Sequence, residues 1–409
     1  MRILLITHAF NSLTQRLYVE LVGLGHEVSV EFDINDGVTV EAVELFRPDL
    51  ILAPYLRRAI PEAIWRCHPC LIVHPGVVGD RGPSALDRAI LRGEPEWGVT
   101  VLQAEAEMDA GPVWASASFT MRPAAKSSLY RNEVTEATVR AVLAALARLP
   151  DYRAGRWQPV RPPLGPLLPL LTQAERAIDW ARDDTATVLR KIAAADGFPG
   201  VADRLFGQDC HLFDARVFAA TGQAGELLGR AGTGIVRATA DGAVRIGHCK
   251  RRDGLAIKLP AVQAYPEAAG LPELAADDGA IRYREAGAVG ILEFDFYNGA
   301  MATADCLALL AAYRAALERP TRVIVLAGGA DFFSNGLDLN RIEAAESPAD
   351  ESWRNIDAMD DLCRAVIETG SHLTVAALRG NAGAGGAFLA LAADRVWARD
   401  GIMLNPHYK

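Results

Sequence analysis

The chain of 409 residues has few cysteines, no dense run of basic residues and no long apolar stretch. Its six cysteines are too few and too scattered to predict a disulfide framework. The 42 basic and 51 acidic residues give a net charge of −9, and no Lys/Arg run predicts nucleic acid as a partner. Because no stretch of about 18 apolar residues occurs, we expect no membrane span and a cytoplasmic location.

Two short segments invite other interpretations. Cys67 and Cys70 have the C-x-x-C spacing of a zinc or redox site, but no second pair follows at ligand spacing. We therefore predict no metal site. The first seven residues contain one basic residue and a short apolar run, which indicates a first β-strand and not a signal peptide.

Apolar runs and turn signals in the first third of the chain alternate between strand and helix patterns. Strands are predicted at residues 3–6, 28–32 and 50–53, and a helix at residues 13–24, closed by Gly25. Amphipathic stretches follow at residues 85–92 and 135–149. This alternation predicts an α/β fold with a parallel sheet.

Composition also divides the chain, which is longer than one hydrophobic core usually supports. Five prolines between residues 158 and 170 predict a semi-rigid linker without helix or sheet. A second shift, to Ala, Glu, Asp and Pro, occurs at residues 267–279. We predict domains at residues 1–157, 171–266 and 280–409, with residues 158–170 as the linker.

An imidazole and a carboxylate stand out in the first domain. His74 directly follows an apolar run, so it should lie at the end of a buried strand, where α/β sheets form ligand clefts. Asp109 lies in a turn marked by the sequence Asp-Ala-Gly-Pro. Such a pair suits acyl transfer through a tetrahedral intermediate, with carboxyl, acyl and formyl groups all open. The plainer alternative is a structural histidine.

Two glycine-rich turns mark the third domain. One spans residues 332–339 and the other residues 380–387, and each precedes a predicted helix. Such turns can direct backbone N–H groups at a single developing oxyanion. The alternative for the second turn is close packing of glycine backbone.

The segment around His74 resembles the folate-dependent formyltransferases. The resemblance is carried by His-Pro-Gly at 74–76, Gly-Asp-Arg-Gly at 79–82, Gly-Val-Thr at 98–100 and Asp-Ala-Gly at 109–111. It implies a Rossmann-like domain, a small β-rich C-terminal domain, His74 and Asp109 as catalytic residues, and 10-formyltetrahydrofolate as formyl donor. By the same resemblance Tyr55 lines the pterin pocket, and Ile72 stands where most of the family has an asparagine that holds the formyl oxygen.

The third domain resembles the crotonase (enoyl-CoA hydratase/isomerase) superfamily through both glycine-rich turns. This implies a partial crotonase domain, a ββα spiral, that binds coenzyme A. Leu337 and Gly385 would supply the two oxyanion-hole amides, with Gly336 and Gly386 beside them. Phe388 occupies the place of the first catalytic glutamate of hydratases, so we expect no ordinary enoyl-CoA hydration.

The second hydratase glutamate corresponds to Tyr408, or to His407 if the spacing from Pro406 is followed. We expect Tyr408 to act as proton donor or acceptor; the alternative is that it only packs at a strand end. A crotonase unit ordinarily continues further, so the sequence resembles a fragment whose catalytic base lies beyond Lys409.

A formyltransferase-like half joined to a crotonase-like half resembles a family of nickel-iron hydrogenase maturation proteins. This implies formyl transfer from 10-formyltetrahydrofolate to coenzyme A, decarbonylation of formyl-CoA to CO for the hydrogenase active site, and transient contact with the maturation machinery. Two alternatives remain open. One is a formyltetrahydrofolate hydrolase or formyltransferase with a CoA-sensing module, and the other is a non-catalytic scaffold that binds folate and CoA.

Overall fold

The computed structural model describes residues 1–275 and 279–407. Contacts between Cα atoms divide the chain into two compact units. The first comprises Met1–Asp203 with Thr239–Asp241, and the second comprises Arg204–Ala238 with Gly242–Lys409. The domain boundaries predicted from composition are finer than this division and stay predictions.

The first unit is built on a six-stranded sheet flanked by helices, with strand order β2-β1-β3-β4-β5-β6. The pairs β1–β2, β1–β3 and β3–β4 are parallel, as the alternation of strands and helices predicted. The pairs β4–β5 and β5–β6 are antiparallel, which the sequence did not indicate. The elements are β1 (Arg2–Thr7), α1 (Ser12–Gly23), β2 (Glu27–Phe32), α2 (Asp36–Phe46), β3 (Leu50–Tyr55), α3 (Glu62–Trp65), β4 (Cys70–His74), α4 (Ala85–Arg92), β5 (Glu96–Gln103), β6 (Val113–Thr120), α5 (Lys126–Leu129), α6 (Thr135–Arg153), α7 (Gln173–Arg176) and α8 (Thr185–Ala195), with a π-helical turn at Tyr130–Val134.

Local sequence signals explain where several of these helices begin and end. The Asp184 carboxylate accepts a 2.7 Å hydrogen bond from the Thr187 amide, so α8 begins directly after this aspartate. Gly93 adopts a left-handed conformation and ends α4 as predicted. The helix α6 continues past Pro150, although the sequence predicted its end at residue 149.

Residues 158–170 contain no helix and no regular strand, in agreement with their proline content. They are nevertheless fixed to the first unit by backbone hydrogen bonds. Val113 and Val160 exchange two such bonds, of 2.8 and 3.1 Å. The amides of Gly165 and Leu168 donate to the carbonyls of Gly79 and Arg81, at 2.9 and 3.1 Å. This proline-rich segment therefore packs against the loop that follows His74.

The chain passes from the first unit to the second within β7 (Val201–Leu205). The second unit contains a β-rich part and a part with both strands and helices. The β-rich strands are antiparallel in the order β8-β11-β10-β9, with β12 beside β11. In the mixed part the main sheet has the order β13-β14-β16-β19-β21. The elements are β8 (Gln208–Phe218), β9 (Leu227–Ala231), β10 (Gly234–Ala238), β11 (Ala243–Arg251), β12 (Lys258–Pro260), α9 (Ala261–Ala264), β13 (Ile281–Ala286), β14 (Val289–Phe294), β15 (Ala300–Met301), α10 (Thr303–Leu317), β16 (Val323–Ala327), β17 (Phe332–Ser334), β18 (Gly336–Leu337), α11 (Leu339–Glu343), α12 (Pro348–Ile367), β19 (Leu373–Leu378), β20 (Asn381–Gly383), α13 (Gly385–Leu391), β21 (Arg395–Ala398) and β22 (Leu404–Asn405), with 3₁₀ turns at Pro266–Gly270 and Tyr297–Gly299.

Each unit buries its own apolar core. In the first, alternate residues of β4 face different clusters: Leu71 and Val73 pack with the α6 side, whereas Cys70 and Ile72 face the α2–α3 side. In the second, α10 packs against β14 and α12 within one apolar cluster. Among the helices that the structure describes, none combines the length and the apolar character that a bilayer crossing requires.

Candidate active sites

His74 is the last residue of β4, and its side chain is 5% exposed. It pairs with Thr100 on the antiparallel strand β5. The chain after it is tied to the same strand: the Trp97 indole N–H donates to the Pro75 carbonyl at 2.9 Å, and the Thr100 hydroxyl donates to the Gly76 carbonyl at 2.8 Å. The position at the strand end is the one predicted, and the backbone around the imidazole is fixed on both sides.

Asp109 lies beside this imidazole, as the pairing of the two residues predicted. Its Oδ2 atom is 3.6 Å from Nδ1 of His74 and accepts a 2.9 Å hydrogen bond from the Gly82 amide. The residue has a φ of 51°, a left-handed conformation that aspartate tolerates better than most residues. A Cβ atom on Gly111 would lie 1.8 Å from the Gln103 carbonyl oxygen, so this turn needs glycine there.

A second carboxylate, which sequence reasoning missed, contacts the other ring nitrogen. The Oδ2 atom of Asp80 lies 2.8 Å from Nε2 of His74, and the Asp80 side chain is only 13% exposed. The signal was present as an aspartate between the turn-forming Gly79 and Gly82, six residues after the histidine. The imidazole therefore lies between two carboxylates, and both can accept hydrogen bonds from its N–H groups or stabilise its protonated form.

Ile72 and Tyr55 lie on neighbouring strands near this histidine. Ile72 precedes His74 by two positions, so both side chains leave the same face of β4. Ile72 is half-buried and packs at the edge of the cluster around Ile51 and Ala53. Tyr55 ends β3, with its ring centroid 6.0 Å from that of His8 and 6.4 Å from that of Tyr130. Their predicted roles toward the folate stay predictions.

The two glycine-rich turns of the second unit meet, and small residues permit the approach. A Cβ atom on Gly336, whose φ is 77°, would lie 2.7 Å from the backbone nitrogen of Gly385. A Cβ atom on Gly386 would lie 2.1 Å from the Ser334 carbonyl oxygen. Leu337 follows in β18, and Gly385 begins α13. The structure thus brings together the turns that carry both amides predicted for the oxyanion hole; their convergence on one oxygen stays a prediction.

Ala384, directly before Gly385, has an unusual backbone. Its φ is 47° and its ψ is −127°, a combination that costs an alanine conformational energy. Its amide donates to the Asn405 carbonyl at 2.8 Å, which ties this turn to β22. The surrounding contacts therefore hold the turn in a shape that glycine would adopt more easily.

A groove of about 790 Å³ runs beside these turns. Leu337, Gly385 and Phe388 line the groove together with residues of α12. Phe388 is 53% exposed, so the place of the hydratase glutamate presents an aromatic ring to the groove. Charged groups of the groove come from α12 and the residue after it: Asp360, Arg364 and Glu368. Sequence reasoning missed this helix, although its amphipathic pattern after Pro348 was a usable signal.

The remaining predicted groups are Tyr408, His407 and the Cys67–Cys70 pair. Tyr408 lies outside the described residues. His407 is exposed, and its amide donates to the Asn405 side chain at 3.2 Å. Cys67 is exposed, whereas burial raises the pKa of the Cys70 thiol to about 12. Within residues 1–275 and 279–407, no group of three or more His, Cys, Asp or Glu side chains is placed to hold a metal ion.

Comparison with protein families assigns three segments of the chain. Residues 34–146 match the family described as Formyl transferase, and residues 170–262 match Formyl transferase, C-terminal domain. Residues 300–404 match Enoyl-CoA hydratase/isomerase. The resemblances read from the two sets of motifs, and the fold class predicted from them, are confirmed.

Two relatives match the chain over its whole length, and a third matches part of it. The chain is 59% identical to the hydrogenase maturation factor HoxX of Bradyrhizobium diazoefficiens, over 100% of this chain and 73% of the relative. It is similar in structure to HypX from Aquifex aeolicus in complex with tetrahydrofolic acid: the TM-score is 0.95 and the identity 48%, over 100% of this chain and 74% of that one. A methionyl-tRNA formyltransferase of Neisseria meningitidis is 29% identical over 56% of this chain and 75% of its own length.

Proposed function

Because the chain belongs to the HypX/HoxX family of hydrogenase maturation factors, we propose that it transfers a formyl group from 10-formyltetrahydrofolate to coenzyme A and decarbonylates the formyl-CoA. The observation that carries this proposal is the imidazole of His74, buried at the end of β4 beside the Asp109 carboxylate. The tetrahydrofolic acid bound to the Aquifex relative supports the folate half of the proposal.

In the first reaction the thiol sulfur of coenzyme A attacks the formyl carbon. The C–S bond forms, the C–N10 bond breaks, and the proton from the thiol ends on N10 of the folate. His74 takes up the thiol proton and returns it to the leaving nitrogen, which is general base and then general acid catalysis. Asp109, 3.6 Å from Nδ1, stabilises the imidazolium while the ring holds that proton. Ile72 and Tyr55 lie near the pterin and formyl groups.

In the second reaction formyl-CoA loses carbon monoxide. The C–S bond breaks, the formyl proton is removed, and the CoA sulfur receives a proton, so the products are CO and free coenzyme A. The amides of Leu337 and Gly385 bind the thioester oxygen, and the glycines at 336 and 386 let the two turns that carry these amides approach each other. Tyr408 donates or accepts the proton.

The aromatic ring of Phe388 favours this reaction over hydration. Hydratases need a carboxylate at this position to activate water, and the side chain that faces the groove here cannot accept a proton. An apolar wall also lowers the chance that water attacks the bound thioester. We infer that CO is delivered to the nickel-iron site of a hydrogenase, through transient contact with its maturation machinery.

The full-length protein is incubated with 10-formyltetrahydrofolate labelled with ¹³C in the formyl group, with and without coenzyme A. Tetrahydrofolate is followed by absorbance, formyl-CoA by mass spectrometry, and ¹³CO by capture on reduced myoglobin. We expect CoA-dependent formation of tetrahydrofolate and ¹³CO. Labelled formate produced equally well without CoA would instead identify a hydrolase. Binding of both ligands without turnover would identify a scaffold.

A separate variant tests the second site. Tyr408→Phe removes the phenolic proton and keeps the ring, so we expect lower CO release while formyl-CoA still forms. Its control is the transfer of formyl to CoA in the same variant, which the substitution should leave unchanged. CO release at the rate of the unsubstituted protein would remove Tyr408 from the mechanism.

A further inference from the structure

The contact between Asp80 and His74 is closer than the contact that the catalytic pair itself makes. Asp80 Oδ2 lies 2.8 Å from Nε2, a hydrogen-bonding distance, whereas Asp109 Oδ2 lies 3.6 Å from Nδ1. A neutral imidazole carries its proton on the nitrogen whose partner accepts it best. The geometry therefore favours the tautomer with the proton on Nε2, facing Asp80.

The residue between these two side chains in space is a glycine. A Cβ atom on Gly76 would lie 2.3 Å from His74 Nε2 and 2.6 Å from Asp80 Oδ2. Its φ is not in the left-handed region, so the backbone alone does not require glycine at this position. The glycine is needed because a larger residue would occupy the space in which the imidazole and the carboxylate meet.

The loop that carries Asp80 is held on both sides of the aspartate. Amides of the proline-rich segment donate to the carbonyls on either side of Asp80: Gly165 N–H to the Gly79 carbonyl, and Leu168 N–H to the Arg81 carbonyl. The approach is so close that a Cβ atom on Gly82 would lie 2.1 Å from the Leu168 carbonyl oxygen. The position of the carboxylate is therefore set by backbone contacts and not only by the contact with His74.

The same loop reaches the turn of Asp109. The Gly82 amide donates to the Asp109 carboxylate, and the Arg81 guanidinium donates twice to the Met108 carbonyl at 3.1 Å. One short loop thus positions a carboxylate on Nε2 of His74 and orients the carboxylate near Nδ1. A loop with that pair of contacts can control both the tautomer and the orientation of the ring.

We infer that Asp80 is a positioning residue for His74: it holds the proton on Nε2 and leaves Nδ1 as the nitrogen that exchanges the substrate proton. The inference rests on the proposed formyl transfer for its catalytic consequence. Nδ1 takes the thiol proton beside Asp109 and gives it to N10 of the folate, while the Nε2–H bond to Asp80 persists throughout. The Asp80 carboxylate thus supplies a polar contact to the ring of His74. Ile72, two residues before His74 on the same strand, has no polar group that could do so.

The tautomer is measured directly by ¹⁵N NMR on histidine-labelled protein at a pH at which His74 is neutral. The His74 signals are assigned by their loss in His74→Gln. We expect protonated Nε2 in the unsubstituted protein and transfer of the proton to Nδ1, facing Asp109, in Asp80→Ala. Asp80→Asn keeps an oxygen that can accept from Nε2–H, so it should keep the original tautomer. A proton on Nδ1 in the unsubstituted protein, or an unchanged tautomer in Asp80→Ala, would overturn the inference.

Kinetics supply the second measurement. In Asp80→Ala we expect kcat for formyl transfer to fall by about 10- to 100-fold, and KM for the folate to stay unchanged. The expected loss is smaller than the full contribution of general acid–base catalysis, because His74 itself is still present. Asp80→Asn should recover part of that loss, and Asp151→Asn, the same change at an exposed position of α6, should change nothing. Equal rates for Asp80→Ala and the unsubstituted protein would contradict the inference.

Two further results remain decisive. If Asp80→Ala does not fold, as judged by its thermal transition, Asp80→Leu, which also removes both carboxylate oxygens, takes its place. We expect the proton on Nδ1 and a lower kcat in Asp80→Leu, and the original tautomer with an unchanged kcat would overturn the inference. If the unsubstituted protein transfers no formyl group, the proposed function fails, and the NMR measurement still decides whether Asp80 sets the tautomer of His74.

Discussion

Asp109 Oδ2 lies 3.6 Å from Nδ1 of His74, on the opposite side of the ring from Asp80. This arrangement joins the end of strand β4 to a turn that precedes β6, two elements that are distant in sequence. It makes the ring a proton carrier whose charged form has a nearby counterion.

Replacing His74 by alanine should abolish formyl transfer and leave folate binding largely intact, because the imidazole acts on the proton and not on the pterin. We expect a loss of about 10²- to 10⁴-fold in kcat. Stopped-flow absorbance of tetrahydrofolate measures the rate, and calorimetry with tetrahydrofolate measures the binding. A variant that retains nearly the full rate would remove His74 from the proposed role.

Replacing Asp109 by asparagine removes the negative charge and keeps an oxygen that can accept from the Gly82 amide. The turn should therefore persist, while the imidazolium loses its counterion. We expect a fall in kcat similar in direction to that of His74→Ala, with an unchanged thermal transition. The matched control is Asp151→Asn. Full activity in Asp109→Asn would mean that the charge has no part in the reaction.

Replacing Ile72 by asparagine tests the position where most formyltransferases carry an amide. Ile72 shares the face of β4 with His74, so the new amide should meet the formyl oxygen and maintain or raise the transfer rate. Ile72→Val keeps the apolar character and is the control. Loss of a cooperative thermal transition in the asparagine variant would instead show Ile72 to be a core residue, since a buried unpaired amide costs about 1–3 kcal/mol.

The groove beside Phe388 should bind coenzyme A without hydrating enoyl-CoA. We expect no measurable loss of crotonyl-CoA absorbance under conditions in which formyl-CoA releases CO. Phe388→Glu introduces the carboxylate that hydratases use and should slow CO release, whereas Phe388→Leu keeps an apolar wall and should preserve it. Robust hydration by the unsubstituted protein would refute the argument from the apolar wall.

The Cys67–Cys70 pair should behave as two unrelated thiols. Cys67 is exposed, and burial raises the pKa of Cys70 to about 12, so Cys70 is neutral and unreactive near pH 8. A thiol reagent such as Ellman's reagent should modify Cys67 rapidly in the native protein and Cys70 only after unfolding. Cys67→Ser should remove the rapid phase. Fast modification of Cys70 would contradict the buried position.

Elements whose signals are local were predicted well. The helix α4 has the bounds that apolar periodicity indicated, and α6 begins at the predicted residue. The family resemblance was also readable, because it rests on glycines, a histidine and an aspartate at fixed spacing. A helix end was missed at Pro150, where packing of α6 against the sheet outweighs the tendency of proline to end a helix.

The sequence by itself determined that His74 ends a strand, that Asp109 lies in a tight turn, and that two glycine-rich turns precede helices. Each of these depends on residues within a few positions of one another. Only the tertiary structure decided that Asp80 contacts Nε2, that the proline-rich segment bonds to the Asp80 loop, and that α12 forms a wall of the groove. The first contact depends on how the loop after β4 folds back onto the imidazole, and the other two join segments far apart in the chain. Their geometry depends on how the sheets, helices and loops pack, which no local pattern encodes.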